Sequence, residues 1–171
     1  MKLRLVLFLS AVSLLLYACS KKSSTDTAST LNPWDGKYRI EGTLTDAVNA
    51  TYTNPGPKEY LLETTSPAQI KLISKDLGIP GHVISIGGSL SYYSQFALIV
   101  NFDPATNKIT SVSNSYGQPS ANGRTAVLDP SGVNTWDPVT KNIKIKYWLD
   151  ETGVAGHRGS FNETWFYIGA R

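Results

Sequence analysis

From Trp34 to the C-terminus, apolar and polar side chains alternate with a period of two. Tyr38, Ile40, Gly42 and Leu44 interleave with Lys37, Arg39, Glu41 and Thr43, and Ile143, Ile145, Tyr147 and Leu149 interleave with Lys144, Lys146 and Trp148. Phe161, Glu163, Trp165 and Tyr167 form another row, as do Phe96, Leu98, Val100 and Phe102. Tyr60 with Leu62 and Ile70 with Leu72 are shorter versions. Alternation with one wet face predicts antiparallel strands that bury one side. The best helical candidate is only a turn or two near Ser74–Leu77.

Turn chemistry falls between the rows. Asn54-Pro55-Gly56-Pro57, Thr65-Ser66-Pro67 and Gly78-Ile79-Pro80-Gly81 cannot continue a ladder. One connection occurs twice: Phe102-Asp103-Pro104-Ala105-Thr106-Asn107-Lys108-Ile109 parallels Trp136-Asp137-Pro138-Val139-Thr140-Lys141-Asn142-Ile143. Asp accepts backbone N–H bonds at a turn start and Pro presets φ at the next position, so both copies predict tight hairpins. The expected fold is all-β, a single antiparallel β-barrel of about eight strands, with a two-layer β-sandwich as the alternative. Long strands at 34–46, 93–102, 142–150 and 159–168 favour the barrel, closed if the first and last strands pair. Eight strands enclose room for side chains or one small ligand.

The N-terminus follows another rule. Leu3 to Tyr17 is almost wholly apolar, begins beside Lys2 and Arg4, and ends Leu16-Tyr17-Ala18-Cys19-Ser20. A basic start, an apolar core and small residues at the cut mark an export signal. The cysteine after Leu-x-Ala predicts cleavage before Cys19 and acylation of its thiol. About 15 apolar residues fall short of the roughly 20 a spanning helix needs. The chain therefore divides into a signal peptide at 1–18, a lipidated flexible tether at 19–31 and a β-barrel domain at 32–171. The tether is polar throughout, which suits a flexible segment. Within it, Asp26-Thr27-Ala28 resembles the Bacteroidetes O-glycosylation sequon, making Thr27 a candidate modification site.

Composition narrows the chemistry. Removing residues 1–18 takes Lys2 and Arg4 with it, leaving 14 basic against 13 acidic side chains. That balance carries no clustered basic face for a nucleic-acid partner. With Cys19 acylated no thiol remains, which excludes disulfides and cysteine chemistry in the domain. His82 and His157 have no acidic or second histidine neighbour in sequence, whereas a metal site needs convergent ligands. No nucleophile elbow or phosphate loop is present. Asp35, Asp46, Asp129, Asp137 and Glu163 are the carboxylates that a distant pairing would draw on. Asp129, Asn134 and Asp137 on a Gly-containing loop read as turn chemistry rather than a calcium loop. The expectation is a non-enzymatic protein without catalytic residues, metal or cofactor.

Aromatic residues outside the inward rows stand out: Tyr92, Tyr93, Tyr116, Trp136 and Trp148. Gln118, Asn122 and Arg124 add amides and a guanidinium close to Tyr116. Flat rings beside such donors suit a sugar, the ring covering a C–H face and the donors meeting hydroxyls. The same residues also suit barrel-end packing, and for Gln118 and Asn122, next to Pro and Gly, a turn role is the better match.

These segments also carry a family likeness. Trp34-Asp35-Gly36-Lys37-Tyr38-x-x-x-Gly42, Tyr116-Gly117-Gln118-Pro119-Ser120-x-Asn122-Gly123-Arg124, Leu128-Asp129-Pro130-Ser131-Gly132-x-Asn134-x-Trp136-Asp137 and the aromatic strand Phe161–Gly169 resemble a lipocalin-like C-terminal domain of unknown function. That domain occurs in Bacteroidetes outer-membrane lipoproteins associated with Sus-type glycan-uptake systems. The resemblance covers nearly all of residues 33–171. It implies an outer-membrane, lipid-anchored protein that binds a polysaccharide or oligosaccharide, or assists a Sus-type porter complex. The run Ser20-Lys21-Lys22-Ser23 lacks the acidic cluster that usually accompanies surface display, so both the surface and the periplasmic leaflet stay open. Two other functions remain beside it: a carrier of a small apolar ligand inside the barrel, and a ligand-free partner of an outer-membrane porter.

Overall fold

The computed structural model describes residues 31–171, which form β-strands and no helix. The strands are β1 (Gly36–Asp46), β2 (Tyr52–Thr53), β3 (Lys58–Ser66), β4 (Gln69–Ser74), β5 (Val83–Ile86) and β6 (Ser89–Tyr92). They continue with β7 (Leu98–Asp103), β8 (Lys108–Asn114), β9 (Arg124–Leu128), β10 (Thr135–Trp136), β11 (Ile143–Glu151) and β12 (Gly159–Gly169). Cys19 and Thr27 lie outside the described residues.

Eight strands close into an antiparallel barrel in the order β1-β3-β4-β7-β8-β10-β11-β12, with β12 returning to β1. The first and last long strands pair along nearly their whole length, from Lys37↔Gly169 to Asp46↔Gly159. The short β10 completes the ring: Thr135 pairs with Lys108 of β8 on one side and Lys144 of β11 on the other. The extra strand β9 continues along the same edge of β11, from Arg124↔Glu151 to Leu128↔Tyr147. Toward the Asp46 end, β1 outruns β3, which leaves it at Ile40↔Lys58. The small sheet β2-β5-β6 covers the core there. Val83 and Ile84 join the main apolar cluster, and the Val83 amide donates to the Tyr60 hydroxyl at 3.0 Å.

The alternating rows point inward as their period requires. Tyr38, Leu62, Phe96, Leu98, Tyr147 and Trp165 are fully buried and fill the interior. At one end Trp34 stacks flat on Phe102 with ring centroids 4.3 Å apart, and meets Trp136 edge-on at 6.1 Å. Deeper inside, Tyr147 stacks on Phe161 at 4.6 Å. Offset and edge-on ring pairs of this kind add to the area they bury.

Two expectations need correction. The helical turn near Ser74–Leu77 reduces to one i→i+4 bond, from Gly78 N–H to Ser74 O at 2.8 Å. Ser74 accepts it as the last residue of β4, and Gly78 at φ 66° turns the chain back. The strand expected at 93–102 begins only at Leu98. Gln95 adopts φ 52°, a left-handed conformation that no strand tolerates, and so Tyr93–Phe96 is a turn. Both copies of the repeated connection are hairpin turns, with Asn107 N–H donating to Asp103 O at 2.8 Å and Lys141 N–H to Asp137 O at 2.7 Å.

Candidate functional site

The Asp46 end of the barrel gathers most of the residues singled out in the sequence. Its frame is a chain of ion pairs. Asp46 ends β1, and its Oδ1 accepts the Val48 and Asn49 amides, each at 2.8 Å. Its Oδ2 accepts the Tyr93 hydroxyl and the Arg158 Nε, the latter at 3.3 Å. Arg158 also donates to Glu151, which takes the Arg124 Nε at 2.8 Å. The Arg124 and Arg158 guanidiniums lie 5.5 and 5.7 Å from the Tyr93 ring centre. Burial pushes the Asp46 carboxyl up, but the Tyr93 hydroxyl, the two amides and the Arg158 charge more than offset it and hold it below the ordinary range. The same balance, with Arg124 and Arg158 as the donors, lowers Glu151. Burial, then the hydrogen bond to Asp46, pushes the Tyr93 phenol far above its ordinary value. This tyrosine donates its proton and does not release it.

The loop between β8 and β9 packs on this frame. The Tyr116 hydroxyl donates to Pro80 O at 2.6 Å. Gln118 uses its whole amide on backbone: Oε1 accepts the Asn114 and Ala126 amides at 2.8 and 3.0 Å, and Nε2 donates to Ala126 O at 2.6 Å. Asn122 reaches Ser94 Oγ at 3.4 Å, and Arg124 donates to Ser94 O. Tyr92, Tyr93, Tyr116, Gln118, Asn122 and Arg124 thus share one rim. Tyr92 and Tyr116 keep ring surface in solvent, at 46% and 39% exposure. Tyr93 is buried because the turn at Gln95 swings it under the rim, so its ring is closed to any ligand. Gln118 fulfils the turn role.

The remaining two rings lie elsewhere. Trp136 is buried at the opposite end, packed on Trp34, since β10 carries it into the barrel wall facing inward. Trp148 faces outward from β11, where it pairs with Val127 and Ser160. The His157 ring covers it at 3.9 Å and nearly parallel, and His157 Nδ1 lies 2.6 Å from Asp150 Oδ1. Asp129 behaves as a turn residue: its Oδ1 accepts the Ser131 amide at 2.8 Å, and Lys146 Nζ sits 3.0 Å from Oδ2. The charge and hydrogen bonds there hold its carboxyl below the ordinary range against the opposing pull of burial.

A polar knot in the barrel interior escapes sequence reasoning. His82 Nε2 lies 3.0 Å from Glu163 Oε1, with both side chains buried. Glu163 Oε1 makes no hydrogen bond among the described residues. Glu163 Oε2 accepts from Tyr147 OH at 3.1 Å and from Trp165 Nε1 at 2.9 Å. Burial, then the Glu163 charge, raises the Tyr147 phenol well above its ordinary value. The sequence signal was Glu163 itself, the one charge in the inward row Phe161–Trp165. No more than about 2% of any of His82, Glu163 and Tyr147 is exposed.

Among the described residues, no group of three or more His, Cys, Asp or Glu side chains converges as a metal site. Two concavities on the outer surface are built from described residues. One, of about 240 Å³, is lined by Asp76, Leu77, Val83, Leu90, Ser91 and Tyr92 beside the rim. The other, of about 310 Å³, lies near the opposite end, against Thr135, Asp137 and Lys144. No family model, curated protein or solved structure matches the chain.

Proposed function

We propose that the protein is a lipid-anchored, non-enzymatic binding module that engages glycan chains at the Asp46 rim. The observation that carries this reading is the filled interior. Tyr38, Leu62, Phe96, Leu98 and Trp165 have no exposed surface, which supports recognition on the outside of the barrel. This weighs against a carrier of a small apolar ligand. On the outside, Tyr92 and Tyr116 offer ring surface, and the Asn122 amide bonds Ser94, two residues beyond Tyr92. The rim's charged groups are bound to one another, which suits positioning rather than catalysis. The described chain starts at the Trp34 end, so a tether to the membrane leaves the rim pointing away from it. The family likeness supports the glycan setting. Affinity electrophoresis and calorimetry across a polysaccharide panel test the reading. Retardation by at least one glycan, weakened in Tyr92→Ala and Tyr116→Ala, is the expected result; no interaction with any member rejects it.

A second reading, a structural partner of an outer-membrane porter, draws on the apolar concavity beside the rim, where Leu90 is 57% exposed. Co-purification from native membranes, lost in Leu90→Glu, distinguishes it from sugar binding.

A further inference from the structure

The repeated turn takes no part in the rim. Its two copies stand side by side at the Trp34 end, tied by Trp136 N–H to Asn107 O and Ile109 N–H to Asn134 O, each at 2.9 Å. In each copy the aspartate is folded back into the turn. Asp103 accepts the Ala105 amide at 2.9 Å and the Thr106 hydroxyl at 2.7 Å. Asp137 accepts the Val139 amide at 2.9 Å and the Thr140 hydroxyl at 2.7 Å. What projects is Pro104-Ala105 and Pro138-Val139. Val139 is 89% exposed, more than any other large apolar side chain among the described residues. Leu31 at 58% and Ile168 at 44% lie at the same end, where β1 begins and β12 finishes. At this end Lys37 pairs with Gly169, Lys108 and Lys144 pair with Thr135, and Lys141 belongs to the second turn.

We propose that this end of the barrel seats on the lipid surface, with the Pro104-Ala105 and Pro138-Val139 tips entering the headgroup layer. The proposal rests on the lipid-anchor reading of Cys19. The tether names the occupant. About a dozen residues separate Cys19 from Leu31, and polar linkers of that length in general span roughly 20 Å on average. The 11 residues of β1 alone extend about 35 Å. The tether enters at the Trp34 end, so that end is held against the bilayer and the Asp46 rim is held off it. Such confinement gives a high effective concentration, and weak contacts then suffice to set the orientation. Exposed apolar tips flanked by lysines are the composition an interfacial contact uses. Asp103 and Asp137 stay negative beside Lys108 and Lys144, so the apolar tips carry the contact and neutral bilayers support it.

Cys19 is the only cysteine in the chain and its thiol is occupied when acylated, so one added cysteine labels one place. Val139→Cys, Ala105→Cys and Leu90→Cys proteins, each lipidated, carry an environment-sensitive fluorophore in phosphatidylcholine vesicles with headgroup-proximal nitroxide lipid. All three sites are exposed, so labelling leaves the core intact. The expected result is a blue shift and severalfold stronger quenching at 139 and 105 than at 90. Equal quenching at the two ends in protein whose mass shows the acyl chains overturns the seating and leaves the anchor standing. Mature protein without acyl chains overturns both.

Discussion

His82 and Glu163 meet in the centre of the barrel at 3.0 Å, although one lies just ahead of β5 and the other sits on β12. Tyr60, Tyr147 and Phe161 wall in the imidazole, with ring centroids 6.0, 6.2 and 4.8 Å from it. Glu163 is the acceptor for the buried Tyr147 hydroxyl and the buried Trp165 ring N–H. Glu163→Ala takes the acceptor from both and is expected to cost about 2–4 kcal/mol in urea unfolding, at roughly 1–3 kcal/mol for each buried group left unpaired. The double variant His82→Leu/Glu163→Leu should lose much less than the sum of the two single changes. Strict additivity would show that the two groups do not act as a pair.

The long strands were legible because each buries one face and so writes its period into the chain. Tyr38–Leu44, Ile143–Leu149 and Phe161–Trp165 needed no tertiary information to be oriented. The small sheet was not legible. Val83, Ile84 and Ser85 are buried in succession, covered on both faces, and a run buried on both faces carries no period. The knot was hidden for a different reason: His82 looked partnerless because its partner is brought to it only by barrel closure. Rim residues were found by type and misjudged in exposure where one backbone angle, at Gln95, decided which way Tyr93 points.

Gly42 of β1 pairs with Glu163 of β12. A Cβ there would collide with the Asn162 carbonyl and come within 2.8 Å of the Glu163 Cα, both backbone atoms. Neither can move without disturbing the longest strand pair of the barrel. Gly42→Ala is expected to destabilise by about 2–4 kcal/mol, more than the entropy argument for glycine alone, which would favour alanine. A denaturation midpoint at or above that of the parent would mean the strands separate freely there.

The rim carboxylates make stability depend on pH in a defined direction. Asp46 and Glu151 are held below their ordinary values of 3.8 and 4.5 in the folded protein. In that window the unfolded chain binds more protons than the folded one, so stability rises with pH. Their contribution is complete above about pH 5 and disappears as pH falls through the lower folded values. The urea midpoint should be flat from neutrality down to about pH 5 and then drop. Tyr93→Phe removes a donor to Asp46, and Glu151→Gln removes the charge between two arginines. Both variants should flatten that acid limb, and an unchanged limb in both would place the acid sensitivity elsewhere.

The two turns at the Trp34 end share a conformation but differ in the residue that bears it. Asn107 and Lys141 hold equivalent positions at φ 57° and 59°. Left-handed backbone costs an ordinary side chain roughly 1–2 kcal/mol, and asparagine and glycine much less. Asn107 bears its conformation cheaply, and the change isolates the backbone because its side chain makes no hydrogen bond among the described residues. Asn107→Ala should therefore cost about 1 kcal/mol and Asn107→Gly only a few tenths. At Lys141 the ammonium lies 4.8 Å from the Tyr167 ring centre. An exposed contact of that kind contributes about 0.5–1 kcal/mol. Lys141→Gly then exchanges backbone relief against a lost ring contact, and its net gain should stay below about 1 kcal/mol. Equal responses of the two turns to glycine in thermal unfolding would remove the ring contact from the explanation.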